Sequence, residues 1–292
     1  MSTLRKLLEL IRFSHTIFAL PFAFLSAALA WNNEPFRWQD ALGILLCMIF
    51  ARSFAMAFNR LVDRHIDAKN PRTLNRHLPA GTLSVAMVTL FTLGNAVAFV
   101  ASTLLFWMRE PSNPWPLYLS GPVLLFLAGY SLTKRFTALA HFWLGASLML
   151  APVAAWIAVK GMNDMTVPLL LGGAVLFWVS GFDILYACQD YDFDKAAGLH
   201  SVPAKLGVKR SLMVAAVCHA VMVALLVGVW FTSPHLGTVF AGGLVLVSLL
   251  LVYEHWLVSP NDLSRVNKAF FQVNGVISVG LLLLVLVELI VK

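Results

Sequence analysis

The chain has 292 residues, of which 60% are apolar and 12% charged. The charged share is about half the roughly 25% found in ordinary globular domains, which excludes a soluble domain. A bilayer core about 30 Å thick needs about 20 helical residues per crossing, so the roughly 175 apolar residues are enough for eight or nine spans. We therefore predict an all-α polytopic membrane protein that forms a single domain over residues 1–292.

Apolar runs separated by polar breaks predict nine membrane-spanning helices in one bundle. In chain order they lie at residues 15–32, 40–58, 84–107, 115–131, 138–159, 166–188, 210–232, 237–257 and 267–290.

The distribution of cations predicts the orientation. With the N-terminus inside, the inner segments carry 16 of the 21 lysines and arginines. Those segments are 1–14, 59–83, 132–137, 189–210 and 258–268. Cytoplasmic loops are enriched in Lys and Arg, so we expect a cytoplasmic N-terminus. The same rule accounts for the net charge of +7 without a nucleic-acid partner.

The first long inner segment carries oxygen-bearing side chains at a four-residue spacing. Asn59, Asp63 and Asp67 occur in the sequence NRLVDRHID. Four residues of α-helix turn about 400°, so these side chains are predicted to share one helix face at the inner end of the second span.

A second acidic series lies where the sixth span ends. Asp183, Tyr186, Asp190 and Asp194 occur at i, i+3, i+7 and i+11, which is one stripe if the helix continues beyond the bilayer. Four spans separate the two series, so both emerge on the same side, and we expect them to face one another across one cavity. Charge balance with nearby cations is the alternative explanation. It fits Asp183 poorly, because a carboxylate within an apolar span is costly and commonly functional.

The residue types favour Mg²⁺ and a diphosphate. Carboxylate oxygens without a His or Cys cluster suit Mg²⁺, which completes its coordination with water and substrate phosphate. Arg72, Lys134 and Arg135 are among the neighbouring cations that we expect to bind the remaining phosphate charge. A diphosphate at a membrane site implies a substrate with a lipid tail.

Both acidic series resemble the signature regions of the UbiA superfamily of intramembrane aromatic prenyltransferases. The matching segments are NRLVDRHID at 59–67, NPRT at 70–73, RHLPAG at 76–81, YSLTKR at 130–135 and DILYACQDYDFD at 183–194. The opening IRFSHT at 11–16 is most similar to a bacterial branch of 4-hydroxybenzoate polyprenyltransferase-like members. Some members of that branch act on a dihydroxynaphthoate in menaquinone synthesis.

The resemblance implies Mg²⁺-dependent transfer of a polyprenyl group from polyprenyl diphosphate to an aromatic acid, with the inner loops 59–83 and 189–210 as a catalytic cap. The metal and diphosphate ligands that it implies are Asn59, Asp63, Asp67, Asp190 and Asp194. Asp183 matches an additional family aspartate and is a candidate for polarising or deprotonating the phenol, with Tyr186 as its helical neighbour. Lys134 matches the basic residue near the diphosphate.

Two other functions stay open from the residues alone. Intramembrane acids also bind permeating ions in secondary transporters and divalent-cation carriers, although there they commonly lie near the bilayer midplane. Among prenyltransferases, a haem- or chlorophyll-type reaction is the nearest alternative. We expect the protein in a bacterial inner membrane, with its active site on the cytoplasmic side.

Overall fold

The computed structural model describes residues 3–11 and 18–291 of the chain, and their regular structure is helical. The α-helices are α1 (Thr3–Leu10), α2 (Leu20–Trp31), α3 (Trp38–Asp67), α4 (Val85–Trp107), α5 (Trp115–Thr133), α6 (Ala140–Lys160), α7 (Thr166–Ala187), α8 (Tyr191–Ala196), α9 (Val202–Leu206), α10 (Val208–Thr232), α11 (Thr238–Trp256), α12 (Val266–Lys268) and α13 (Asn274–Val291). A 3₁₀ turn joins α7 to α8, and a π-helical turn joins α12 to α13. The predicted all-α fold is confirmed.

Eight helical segments in the described part of the chain are long and apolar enough to cross a membrane. They contain α3, α4, α5, α6, α7 with α8, α10, α11, and α12 with α13. The apolar helix α2 has only 12 residues, and the predicted first span at 15–32 begins in residues 12–17, outside the described ranges. The nine-span count and the orientation therefore stay predictions.

Contacts divide the chain into two compact units. Unit 1 comprises Met1–Thr16 and Arg37–Leu132, and unit 2 comprises Ile17–Phe36 and Thr133–Lys292. The single domain over 1–292 and the catalytic cap stay predictions.

In unit 1, α3 packs along α4, and α1 packs against α3. The buried apolar cluster there consists of Leu10, Ile11, Ala57, Leu83 and Val88. Lys6 Nζ also donates a hydrogen bond to the backbone oxygen of Thr82 at 3.3 Å. The N-terminal segment is thus packed against the end of α3 that carries the first acidic series.

In unit 2, α7 is the central helix, with α6 and α10 packed along it. The apolar part of its spanning segment is 61% buried, against at most 44% for the other spanning segments in the described part of the chain. Gly145 permits the close approach of α6, because a Cβ there would collide with the backbone oxygen of Leu176 and lie 2.5 Å from Ser180 Oγ. The second acidic series therefore starts on the most enclosed spanning helix.

A buried chain of hydrogen bonds joins three helices of unit 2. Trp178 Nε1 on α7 donates to Asn274 Oδ1 at 2.6 Å, and Asn274 Nδ2 on α13 donates to Glu254 Oε1 on α11 at 2.8 Å. Such bonds between membrane helices stabilise their packing, since lipid offers no alternative partner. They fix α7 relative to the helices around it.

Candidate active site

The first acidic series lies at the C-terminal end of α3. Because this helix is continuous to Asp67, the side chains of Asn59, Asp63 and Asp67 occupy successive turns, as predicted. Asn59 Nδ2 donates to Asp63 Oδ2 at 2.8 Å, and Arg60 Nη1 donates to Asn59 Oδ1 at 3.2 Å. These two bonds orient the Asn59 amide.

The loop after α3 folds back onto Asp67. Arg76 Nη1 lies 2.7 Å from both carboxylate oxygens of Asp67, and the hydroxyl of Thr73 donates to the Asp67 backbone oxygen at 2.9 Å. Asn70 Oδ1 accepts the backbone N–H of Arg72 at 2.9 Å, while Arg72 itself is exposed. The structure thus brings Arg76 to the carboxylate of Asp67.

The second acidic series passes through a change of helix type. Asp183 and Tyr186 lie on α7, residues Cys188–Asp190 form a 3₁₀ turn, and Asp194 lies on α8. A 3₁₀ helix turns about 120° per residue instead of about 100°, so the later aspartates are rotated relative to Asp183. The stripe expected of an unbroken α-helix is interrupted at this turn.

Asp190 in the 3₁₀ turn and Asp194 on α8 are both buried, whereas Asp192 on α8 is exposed. Asp194 is 3% exposed, and its Oδ2 accepts no hydrogen bond within the described part of the chain. A buried carboxylate oxygen without a donor is costly unless a cation or another donor binds it. Asp194 is therefore a candidate cation ligand.

Asp183 has a partner that residue spacing does not predict. Nδ1 of His141, a fully buried residue, lies 2.7 Å from Asp183 Oδ2. His141 belongs to no spacing pattern, because it lies 42 residues earlier in the chain. The signal that could have found it is a titratable side chain at the start of an apolar span.

Aromatic rings lie beside the last turns of α7. The ring centroid of Tyr186 lies 4.5 Å from that of Phe270. Phe270 also makes an edge contact with Phe182, at 5.1 Å between centroids. The carboxylate of Asp183 is therefore carried by a helix end that has aromatic rings beside it.

The basic segment after α5 is joined to the second inner loop within unit 2. The backbone N–H of His200 donates to the backbone oxygen of Lys134 at 2.8 Å. Lys134 is half-buried and Arg135 is exposed. The hydrogen bond thus connects the predicted phosphate-binding segment to the loop that follows Asp194.

The site residues fit a metal that shares its coordination with substrate. No group of three or more His, Cys, Asp or Glu side chains among the described residues could hold a metal ion. Mg²⁺ commonly binds through one or two carboxylates and takes its other ligands from water and phosphate. The buried Asp190 and Asp194 suit that coordination, since Asp194 Oδ2 accepts no hydrogen bond from residues 3–11 and 18–291.

Comparison with known proteins agrees with this fold and these residue types. Residues 19–276 match the UbiA prenyltransferase family. The chain is 29% identical over 258 residues to a 4-hydroxybenzoate octaprenyltransferase of Aromatoleum aromaticum, covering 85% of this chain and 84% of the relative. A UbiA homologue from Aeropyrum pernix K1 superposes with a TM-score of 0.81 at 30% identity, covering 95% of this chain and 98% of that one. A UbiA homologue from Archaeoglobus fulgidus, bound to DMAPP and Mg²⁺, superposes with a TM-score of 0.74 at 22% identity, covering 98% and 100%.

The eight long apolar helices in the described part of the chain define a helical integral membrane protein. The match over 19–276 identifies it further: the chain belongs to the UbiA prenyltransferase family and is a transferase of prenyl groups.

Proposed function

We propose that the protein catalyses the Mg²⁺-dependent transfer of a polyprenyl group from polyprenyl diphosphate to an aromatic acid in quinone biosynthesis. The observation that carries the proposal is the buried carboxylate of Asp194, whose Oδ2 accepts no hydrogen bond from the described residues. The ligands of the Archaeoglobus homologue support prenyl diphosphate and Mg²⁺ as the partners of such a site. The names of the curated relatives support an aromatic acid as the acceptor.

We propose 4-hydroxybenzoate as the first acceptor to test, and a dihydroxynaphthoate as the second. The relatives' names favour the former, whereas the segment at 11–16 is similar to a branch that includes the latter. Residues 12–17 lie outside the described ranges, so this choice depends on the assay. Family membership argues against the transporter alternative, and the relatives' names argue against a haem- or chlorophyll-type reaction.

The ligands that we propose for metal and diphosphate are Asn59, Asp63, Asp67, Asp190 and Asp194. Mg²⁺, when bound, supplies neutralisation of the diphosphate charge. Lys134, Arg135 and Arg72 bind phosphate oxygens that the metal leaves exposed, because guanidinium and ammonium groups donate charge-assisted hydrogen bonds to phosphate.

The reaction then needs charge stabilisation, exclusion of water and orientation of the acceptor. The electron pair of the allylic C–O bond leaves with the diphosphate, and the ring carbon ortho to the phenolic hydroxyl bonds to the allylic carbon. Asp183 accepts a hydrogen bond from the phenol and so raises the electron density of the ring. The substituted ring carbon then loses its proton to the released diphosphate, and the ring regains aromaticity. The rings of Tyr186 and Phe270 exclude water from the reacting carbon.

We further propose a bacterial inner membrane and a cytoplasmic active site. The 16 of 21 cations on the predicted inner segments support this orientation, since cytoplasmic loops retain Lys and Arg. Both acidic series adjoin those basic segments, which also suits a diphosphate made in the cytoplasm.

Product analysis tests the proposed reaction. Membranes carrying the protein are incubated with labelled polyprenyl diphosphate, Mg²⁺ and a panel of aromatic acids, and products are identified by mass spectrometry. We expect prenylated 4-hydroxybenzoate or prenylated dihydroxynaphthoate, and no product when Mg²⁺ is chelated. Absence of any prenylated acid with Mg²⁺ present contradicts the proposal.

Substitutions test the acidic residues. Asp63→Asn and Asp190→Asn each remove a charged ligand, so we expect diphosphate release to fall by about 10²-fold or more. Asp192→Asn is the matched control, because Asp192 is an exposed acid next to the site. Wild-type rates in both of the first two variants contradict the assigned ligands.

A further inference from the structure

The pair formed by His141 and Asp183 suggests how the acceptor is oriented. His141 is the second residue of α6, and Asp183 lies near the C-terminal end of α7; both belong to unit 2. His141 is 0% exposed, and its Nδ1 lies 2.7 Å from Asp183 Oδ2. A buried imidazole that contacts a carboxylate only 18% exposed is a strongly oriented partner.

The hydrogen bonds of the ring determine its tautomer. The backbone N–H of Val202 donates to His141 Nε2 at 3.3 Å, so Nε2 acts as the acceptor. The proton of the neutral ring therefore lies on Nδ1 and is donated to Asp183. Val202 is itself fixed, because it begins α9, whose N-terminal cap is Ser201.

Contacts between the α6 backbone and α7 also restrict the position of the His141 ring. Ser180 Oγ on α7 lies 2.7 Å from the backbone oxygen of Leu176, to which it donates, and 3.3 Å from the backbone oxygen of His141. A Cβ added at Gly145, one turn further along α6, would collide with the backbone of Leu176 on α7. The close contact of α6 with α7 thus leaves the imidazole little freedom to move away from Asp183.

One carboxylate oxygen of Asp183, Oδ2, is consequently hydrogen-bonded to His141. The bond to His141 is made by Oδ2, and the side chain of Asp183 is partly exposed, which leaves Oδ1 as the oxygen that does not contact the imidazole. A carboxylate held through one oxygen presents its second oxygen in a defined direction. That oxygen is available to accept a hydrogen bond from a substrate hydroxyl.

We propose that His141 is a positioning residue that aims Asp183 at the phenolic hydroxyl of the aromatic acceptor. The inference rests on the proposed function, because it assigns Asp183 to the acceptor rather than to the diphosphate. It predicts that losing the imidazole impairs acceptor use and leaves ionisation of the prenyl diphosphate intact.

Two substitutions at His141 separate positioning from simple packing. His141→Leu fills the space without a donor, whereas His141→Asn keeps an N–H close to the place of Nδ1. A misplacement of about 1 Å can cost about 10²-fold in rate, so we expect His141→Leu to lower kcat/KM for the acceptor by about that factor. Acceptor-free release of diphosphate should stay near the wild-type rate, and His141→Asn should recover most of the loss.

A control at another buried histidine and a double substitution complete the test. His219, which is 2% exposed and pairs with His255 on α11, serves as the control for removing a buried imidazole. We expect His219→Leu to lower thermal stability without a selective loss in acceptor kcat/KM. In an Asp183→Asn background, His141→Leu should cause no further loss of acceptor kcat/KM.

The outcomes distinguish this inference from the proposed function. Wild-type protein that prenylates no aromatic acid contradicts the proposed function and, with it, the inference. Active wild-type protein overturns the inference alone if His141→Leu leaves acceptor kcat/KM unchanged, lowers diphosphate release equally, or adds to the loss caused by Asp183→Asn. Selective loss with recovery in His141→Asn supports it.

Discussion

Replacing Asp194 by asparagine tests whether the buried acid of α8 binds Mg²⁺ through a readout independent of turnover. The side chain is 3% exposed, and its Oδ2 has no hydrogen-bond donor in the described part of the chain. In the metal-free protein this oxygen therefore lowers the free energy of unfolding, and a bound metal ion removes that destabilisation. Asp194→Asn changes the charge at nearly constant volume, and Asp192→Asn makes the same change at an exposed position of α8.

The magnitude follows from the burial of the group. A buried unsatisfied polar group costs about 1–3 kcal/mol. The amide still lacks one partner but carries no charge, so we expect Asp194→Asn to raise the metal-free stability by about 1 kcal/mol. Mg²⁺ at about 100 times its Kd stabilises wild type by about 2.7 kcal/mol. If the loss of this ligand weakens Mg²⁺ binding about 100-fold, the same Mg²⁺ concentration stabilises the variant by only about 0.4 kcal/mol. The order of stability should therefore reverse when Mg²⁺ is added.

Unfolding in mixed detergent micelles, with and without Mg²⁺ and inorganic diphosphate, measures these stabilities. We expect wild type and Asp192→Asn to gain stability in parallel as Mg²⁺ increases, while Asp194→Asn gains little. An equal gain in all three proteins would refute the assignment of Asp194 to the metal. A metal-free Asp194→Asn protein that is much less stable than wild type would refute the argument from its unpaired oxygen.

Three further substitutions test the packing around the site. Asn274→Ala removes two interhelical hydrogen bonds, worth about 0.6 to 1.7 kcal/mol each, so unfolding in mixed micelles should become easier by about 1–3 kcal/mol. Asn95→Ala should cost less, because the side chain of Asn95 donates to a carbonyl of its own helix, and equal losses would contradict this reasoning. Gly145→Ala should lower thermal stability by about 1–3 kcal/mol through overpacking, whereas Gly121→Ala, with nothing within 4 Å of its added Cβ, should change it little. Asp67→Asn weakens the 2.7 Å ion pair to the loop after α3, so trypsin should cleave that loop several-fold faster; an unchanged cleavage rate would show that the pair does not hold the loop.

Local sequence patterns predicted much of the helical fold. Apolar runs longer than 18 residues indicate spanning helices directly, and the predicted run at 84–107 corresponds closely to α4. The predicted run at 40–58 is shorter than α3, which continues to Asp67. The apolar pattern stops at the charged residues near the end of α3, but the helix does not. The four-residue spacing from Asn59 to Asp67 correctly indicated that this extension is helical.

Long-range contacts were harder to predict. The hydrogen bond between His141 and Asp183 joins residues 42 positions apart, and no periodicity relates them. The 3₁₀ turn at Cys188–Asp190 was also invisible, because neither its composition nor its spacing differs from that of a continuing α-helix. Both features depend on how the neighbouring helices pack.

The sequence by itself determined that this is a helical membrane protein with two acidic series and an excess of basic residues beside them. Hydrophobicity and residue spacing are local properties, and a bilayer restricts apolar segments of this length to helices. Only the tertiary structure decided which acids are buried, that Arg76 pairs with Asp67, and that His141 fixes one face of Asp183. Those outcomes depend on the packing of side chains from distant segments, which the order of residues along one helix does not specify.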